Sequence, residues 1–244
     1  TLILVTILTT TAIYSLATQT YFDPPRVSRP HGESADPILE KISRMSLDDR
    51  IGQLFMVGFE HPYVDEHALE MIQKYRVGGF NLLRRNVTDK DQTTRMAAKP
   101  QSFAKIPLFM AADQEGGEVS RFRFLKELTR QMDFESPEEA KLAALRRGLE
   151  LKELGVNMNF SPVLDYVPDK NGYLFNRSFG KSPEDIAKFG SAMIQGYRTA
   201  GIISVAKHFP GYYTTKPDPH QNNALVAITD DDELKKYLDP FKMV

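Results

Sequence analysis

The amino-acid sequence predicts an α/β fold, a TIM-type (β/α) barrel that is incomplete in this chain, with about five βα units. Three observations predict it. Five short apolar runs alternate with amphipathic stretches, the pattern of buried parallel strands and their crossover helices. Helix-start signals recur between the runs. Neither a Gly-x-Gly-x-x-Gly fingerprint nor a phosphate-binding loop accompanies them, which disfavours an open nucleotide-binding sheet.

Residues 1–19 are apolar and studded with threonine, including Leu2-Ile3-Leu4-Val5, Ile7-Leu8 and Ala12-Ile13-Tyr14, and the first charged side chain is Asp23. This is the character of an export signal or a membrane anchor, so an exported protein with N-terminal membrane association is expected, whether extracellular, periplasmic or anchored. Residues 20–36, with Pro24, Pro25 and Pro30, read as a linker. Residues 37–244 form the barrel domain.

Within that domain the strands are expected at residues 54–59, 77–83, 107–112, 156–160 and 201–206. Ser136-Pro137-Glu138-Glu139 reads as a capping box with proline at the first helical position. Ser182-Pro183-Glu184-Asp185 repeats the arrangement before Ile186, Phe189, Met193, Ile194 and Tyr197, which recur at helical spacing. Thr229-Asp230-Asp231-Asp232 opens another helix before Leu234. A complete barrel has eight units, and Val244 falls inside the fifth helix, so the remaining units are expected outside this sequence.

The bulk composition narrows the function. With 41% hydrophobic and 26% charged residues the chain has ordinary globular composition. Lys and Arg number 31 against 32 Asp and Glu, with no basic run, so there is no electrostatic footprint for nucleic acid. The absence of cysteine excludes disulfides, thiol nucleophiles and cysteine-based zinc sites. His-x-His at a strand end and His-Glu-x-x-His are both missing, so no metal is assigned, and no cofactor is implied.

Polar residues gather at the C-terminal ends of the expected strands, where a barrel keeps its chemistry. The third strand ends in Asp113-Gln114-Glu115-Gly116-Gly117, with Arg121 shortly after. The fourth ends in Ser161-Pro162-Val163-Leu164-Asp165, and its loop carries Asn176-Arg177-Ser178-Phe179-Gly180. The fifth ends in Lys207-His208. Several polar groups converging on one rim suit a multiply hydroxylated ligand, because each hydroxyl needs a partner and each buried charge needs compensation. Seven residues after Gly211 comes Asp218-Pro219-His220. Proline keeps Asp218 extended, which places positions 218 and 220 on one side. The carboxylate can then fix the imidazole tautomer and leave the other ring nitrogen to exchange a proton near neutral pH.

These segments resemble glycoside hydrolase family 3, and within it the β-N-acetylhexosaminidase branch. The resemblance is carried, in family order over residues 40–242, by Met45-Ser46-Leu47 through Ile51-Gly52-Gln53-Leu54-Phe55, by Asp113-Gln114-Glu115-Gly116-Gly117 with Arg121, and by Asn159-Phe160-Ser161-Pro162-Val163-Leu164-Asp165. Arg177-Ser178-Phe179-Gly180, Lys207-His208-Phe209-Pro210-Gly211 and Asp218-Pro219-His220 complete it. It implies a retaining exo-glycosidase that removes terminal β-linked N-acetylglucosamine from cell-wall fragments, muropeptides or chitooligosaccharides. It also implies His220 with Asp218 as the acid/base pair, and Asp113, Arg121, Arg177, Lys207 and His208 as the sugar pocket. The family's aspartate nucleophile is expected outside this sequence, and no residue here takes its role. The chain departs from the family at Tyr212-Tyr213-Thr214, where His-Gly-Asp is usual, and at Pro219, where serine is usual. Two other functions remain open at this point: another family 3 β-glycosidase such as a β-glucosidase, and a sugar-binding homologue without catalysis.

Overall fold

The computed structural model describes residues 36–212 and 230–244. The chain divides into two units, Thr1–Arg44 and Met45–Val244. In the first, helix α1 (Pro37–Ser43) starts on the Asp36 carboxylate, which accepts from Ile38 N at 2.9 Å, with proline in the first turn. Among the described residues, no helix is long and apolar enough to cross a membrane. The expected export segment, residues 1–19, lies outside the described residues.

The second unit alternates helix and strand. It runs through α2 (Leu47–Gly52), β1 (Met56–Val57), α3 (Glu66–Gln73), β2 (Gly79–Leu82), α4 (Lys90–Gln101) and β3 (Phe109–Ala112). A polar hairpin follows, β4 (Gln114–Gly116) against β5 (Val119–Ser120), and then α5 (Pro137–Glu153), β6 (Met158–Asn159), α6 (Pro183–Ala200), β7 (Ile203–Ser204) and α7 (Asp231–Lys242). Strands β1, β2, β3, β6 and β7 form one sheet in that order, every pair parallel, with Phe80 opposite Met110 and Ala112 opposite Asn159. This is the expected arrangement of βα units of a TIM-type barrel, with each strand inside one of the five apolar runs. Phe80, Leu82, Met110 and Ala112 are fully buried and share a core with Ala143, Leu151, Ile186, Met193 and Tyr197 of the helices.

The strands are shorter than the runs, and side-chain amides take over where backbone pairing stops. Gln101 pairs both backbone groups of Leu108, each at 2.9 Å, and Gln131 pairs both of Val163, also at 2.9 Å. Asn159 does the same for Gln114, at 3.0 Å each way. A primary amide offers a donor and an acceptor in the geometry of a peptide, so it satisfies a buried residue that has lost its ladder partner.

The helix starts follow the sequence with one correction. Ser136 and Ser182 accept from Glu139 N and Asp185 N as N-caps. The reciprocal half of the expected box is made at neither serine; at Ser136 the Glu139 carboxylate accepts from Glu135 N at 2.9 Å instead. Asp230 caps α7 by accepting from Asp232 N. Helices α5 and α6 meet through small residues: a methyl group on Gly196 would stand 2.3 Å from Lys141 O, and one on Gly148 would stand 2.6 Å from Ala200 Cβ. The small-residue face Ala140, Ala143, Ala144, Gly148 permits this approach and sets the distance between the two helices that flank β6.

Candidate active site

The site is built at the exits of β3, β6 and β7. After β3 the chain continues as an extended hairpin strand, so Asp113 and Glu115 point one way and Gln114 the other. Gln114 turns inward and pairs the backbone of Phe122, accepting from its N–H at 3.0 Å, while Asn159 grips Gln114's own backbone. The hairpin turns at Gly116, whose φ of 97° and position leave no room for a side chain, since a Cβ there would lie 2.2 Å from Thr129 O. From below, the fully buried Arg147 donates to Glu115 O at 2.7 Å, Thr129 O at 2.8 Å and Tyr197 Oη at 3.1 Å.

After β7, Lys207 is held by its backbone: its N–H donates to Pro162 O at 3.0 Å and its carbonyl accepts from Leu164 N at 2.7 Å. Its ammonium then reaches across the sheet to Asp113 Oδ1 at 2.7 Å and Glu115 Oε1 at 2.5 Å. Arg121 binds the other oxygen of Asp113 at 3.1 Å. Arg177, from the turn Phe175–Arg177 in the loop after β6, forks onto Glu115 through Nε at 2.9 Å and Nη2 at 2.7 Å. Its Nη2 also stands 3.4 Å from His208 Nε2. The peptide bonds Ser161–Pro162, Lys207–His208 and Phe209–Pro210 are cis.

Two layers result. Lys207, Arg177, Asp113, His208 and Arg121 keep 13, 15, 18, 21 and 28% of their side-chain surface exposed, so a ligand can reach them. Glu115 and Asp165, at 2 and 1%, lie beneath and hold the cations and the imidazole in place. The charges set one another. Burial pushes the Asp113 carboxyl up, but the Lys207 ammonium and the Arg121 guanidinium outweigh it and hold the group below the usual aspartate value. Burial lowers Arg177, and its bonds to Glu115 more than restore it, so it remains charged.

The five residues expected in the sugar pocket are therefore brought together, while Asp218 and His220 lie outside the described residues. Sequence reasoning missed the supporting role of Glu115 and Asp165. The signal for Glu115 was present, since i and i+2 face one way on an extended chain and two cations without carboxylates would be uncompensated. Asp165 gave no local signal, because its partners His208 and Tyr212 are more than forty residues away. The departure at Tyr212 leaves this anchor intact, as it is the backbone N–H of Tyr212 that Asp165 accepts, at 2.8 Å. The Tyr212 ring packs edge-on against His208 with centroids 4.7 Å apart. Among the described residues no three His, Asp or Glu side chains are grouped to hold a metal ion. A cavity of about 250 Å³ bounded by Asp49, Arg76, Phe103 and Lys105 lies toward the opposite ends of the strands and includes none of these groups.

Comparison with known proteins supplies the family. A β-hexosaminidase A of Pseudoalteromonas piscicida is 34% identical over 165 residues, covering 62% of this chain and 28% of that protein. A β-hexosaminidase of Mycobacterium tuberculosis is 31% identical over 209 residues, covering 79% of this chain and 51% of its own length. The solved structure of a glycoside hydrolase family 3 β-N-acetylglucosaminidase from a Paenibacillus species superposes with a TM-score of 0.76 at 32% identity, over 82% of this chain and 40% of that one. The chain thus spans about half or less of the length of these relatives. The family model for the glycosyl hydrolase family 3 N-terminal domain matches residues 46–244, which takes in every strand of the sheet and every charged group of the site, and on that match the chain belongs to glycosyl hydrolase family 3.

Proposed function

We propose that this protein is a retaining exo-glycosidase that releases terminal β-linked N-acetylglucosamine, and that Asp113, Arg121, Arg177, Lys207 and His208 hold the sugar. The observation that carries the reading is the charge balance of the site. Asp113 and Glu115 face three permanent cations, Arg121, Arg177 and Lys207, and a third carboxylate, Asp165, lies beside them under His208, so the pocket suits a neutral polyhydroxylated ring better than an anion. Asp113 offers acceptors to ring hydroxyls, and the cations around it offer donors. The choice of N-acetylglucosamine over glucose rests on the relatives, which are named β-hexosaminidases and β-N-acetylglucosaminidase.

For chemistry, the reading takes His220, tautomer-fixed by Asp218, as acid/base in place of the second carboxyl group of the usual retaining scheme. The nucleophile is assigned to no residue of this sequence. Cell-wall fragments, as in peptidoglycan recycling, and chitooligosaccharides are the proposed sources of the sugar. The uncharged apolar run before Asp23 supports export with a signal peptide or membrane association. In the whole protein, Asp218→Asn is expected to lower turnover by roughly 10²-fold or more, the order assigned to positioned acid/base groups, while affinity for N-acetylglucosamine is retained. Unchanged turnover would remove the pair from the mechanism.

A further inference from the structure

We propose that Asp165 is a positioning residue that fixes His208 as its Nδ1–H tautomer, so that Nε2 faces the pocket as a hydrogen-bond acceptor. Three N–H groups converge on this buried carboxylate. Its Oδ2 takes the His208 backbone N–H at 2.9 Å and His208 Nδ1 at 2.7 Å, and its Oδ1 takes the Tyr212 N–H at 2.8 Å. A carboxylate already accepting two backbone donors is an acceptor at the third contact as well, so the proton of that contact belongs to Nδ1. The neutral ring then carries a lone pair on Nε2. The opposite side of the ring agrees. Arg177, which has only donors to offer, places Nη2 3.4 Å from Nε2, where a second ring proton would set donor against donor.

The consequence, resting on the sugar-pocket reading, is a division of labour between two Asp–His pairs in one chain. His208 Nε2 accepts from a sugar hydroxyl in place of its long 3.4 Å contact to Arg177 Nη2, beside the donor of Lys207, and proton transfer is left to the pair at 218 and 220. Acceptors are scarce on this rim, because Glu115 is buried against Arg177 and Lys207, and Asp113, already bound to Lys207 and Arg121, has only its remaining lone pairs to offer. A histidine locked as an acceptor lets the site discriminate among hydroxyl orientations in a way that a freely exchanging tautomer would not.

The test is ¹⁵N imidazole spectroscopy of the whole protein at neutral pH, with His208 assigned by loss of its signals in His208→Gln. The expected spectrum has a pyrrole-type Nδ1 and a pyridine-type Nε2. In Asp165→Leu, which offers Nδ1 no acceptor, Nε2 is expected to move toward a tautomeric average. Affinity for N-acetylglucosamine should then fall by roughly tenfold, the value of about one hydrogen bond. An Nε2–H tautomer, an averaged ring or an imidazolium in the wild-type protein overturns the proposal, and that measurement decides it even where Asp165→Leu fails to fold. An unmoved tautomer in folded Asp165→Leu overturns it too. Because the spectrum is read without substrate, a locked tautomer in a protein that does not hydrolyse glycosides upholds Asp165's role and counts against the proposed function alone.

Discussion

Replacing Glu115 by glutamine keeps its shape and removes its charge, which isolates the contribution of the buried layer under the site. The carboxylate is 2% exposed and takes two bonds from Arg177, at 2.9 and 2.7 Å, and one from Lys207, at 2.5 Å. Removing one partner of a buried ion pair costs roughly 3–5 kcal/mol. Two features reduce that figure here. The amide oxygen still accepts one bond, and Lys207 keeps Asp113 at 2.7 Å. The expected loss is therefore about 2–3 kcal/mol, which for a unit of this size lowers Tm by about 4–12 °C. Glu70→Gln is the control. Glu70 meets Lys74 at the same 2.7 Å that Lys207 keeps to Asp113, but with 41 and 64% of the two side chains exposed, so water already solvates both. Its removal should move Tm by about two degrees or less. Thermal melting by circular dichroism at pH 7 reads both. Equal small shifts in the two variants would refute the reasoning, since burial would then not decide the strength of these pairs.

Two further outcomes follow from the same geometry. Asp113 has a folded pKa below its unfolded value near 3.8, so its contribution to stability is complete above that value and is lost as pH falls through the lower folded one. Urea unfolding of wild type and Asp113→Asn should accordingly converge below about pH 3.8, and a gap constant from pH 6 down to the acid limit would contradict the assignment. Asn159→Leu removes the amide that bonds the buried N–H and C=O of Gln114, each at 3.0 Å. At about 1–3 kcal/mol for each orphaned group, a loss of roughly 2–6 kcal/mol is expected in equilibrium unfolding. A loss below about 1 kcal/mol would show that the amide is not substituting for a strand partner.

What the sequence made legible depended on the range of the interaction. The strands were legible because a buried parallel strand must be apolar on both faces, and all five lie inside the runs at 54–59, 77–83, 107–112, 156–160 and 201–206. The serine caps were legible because an N-cap acts over three residues. The second half of the box at Ser136 was not, since the same Glu139 reaches Glu135 N equally well. The β4–β5 hairpin went unread because Asp113 to Ser120 is polar and glycine-rich, with neither alternation nor an apolar run to mark a strand. The pocket residues were found because they sit at strand ends in recognisable motifs. Glu115 and Asp165 act through side chains that are distant in sequence, Arg177 sixty-two residues from Glu115 and His208 forty-three from Asp165, and only the parallel order β3-β6-β7 brings them together.

The central claim, that these groups form a pocket for a terminal N-acetylglucosamine from which the sugar is cleaved, is tested most directly by offering the whole protein two chromogenic substrates. These are an N-acetyl-β-glucosaminide and the matching β-glucoside. Release from the N-acetyl substrate alone is the predicted result. Release from the glucoside at an equal or greater rate, or from neither substrate, would contradict it.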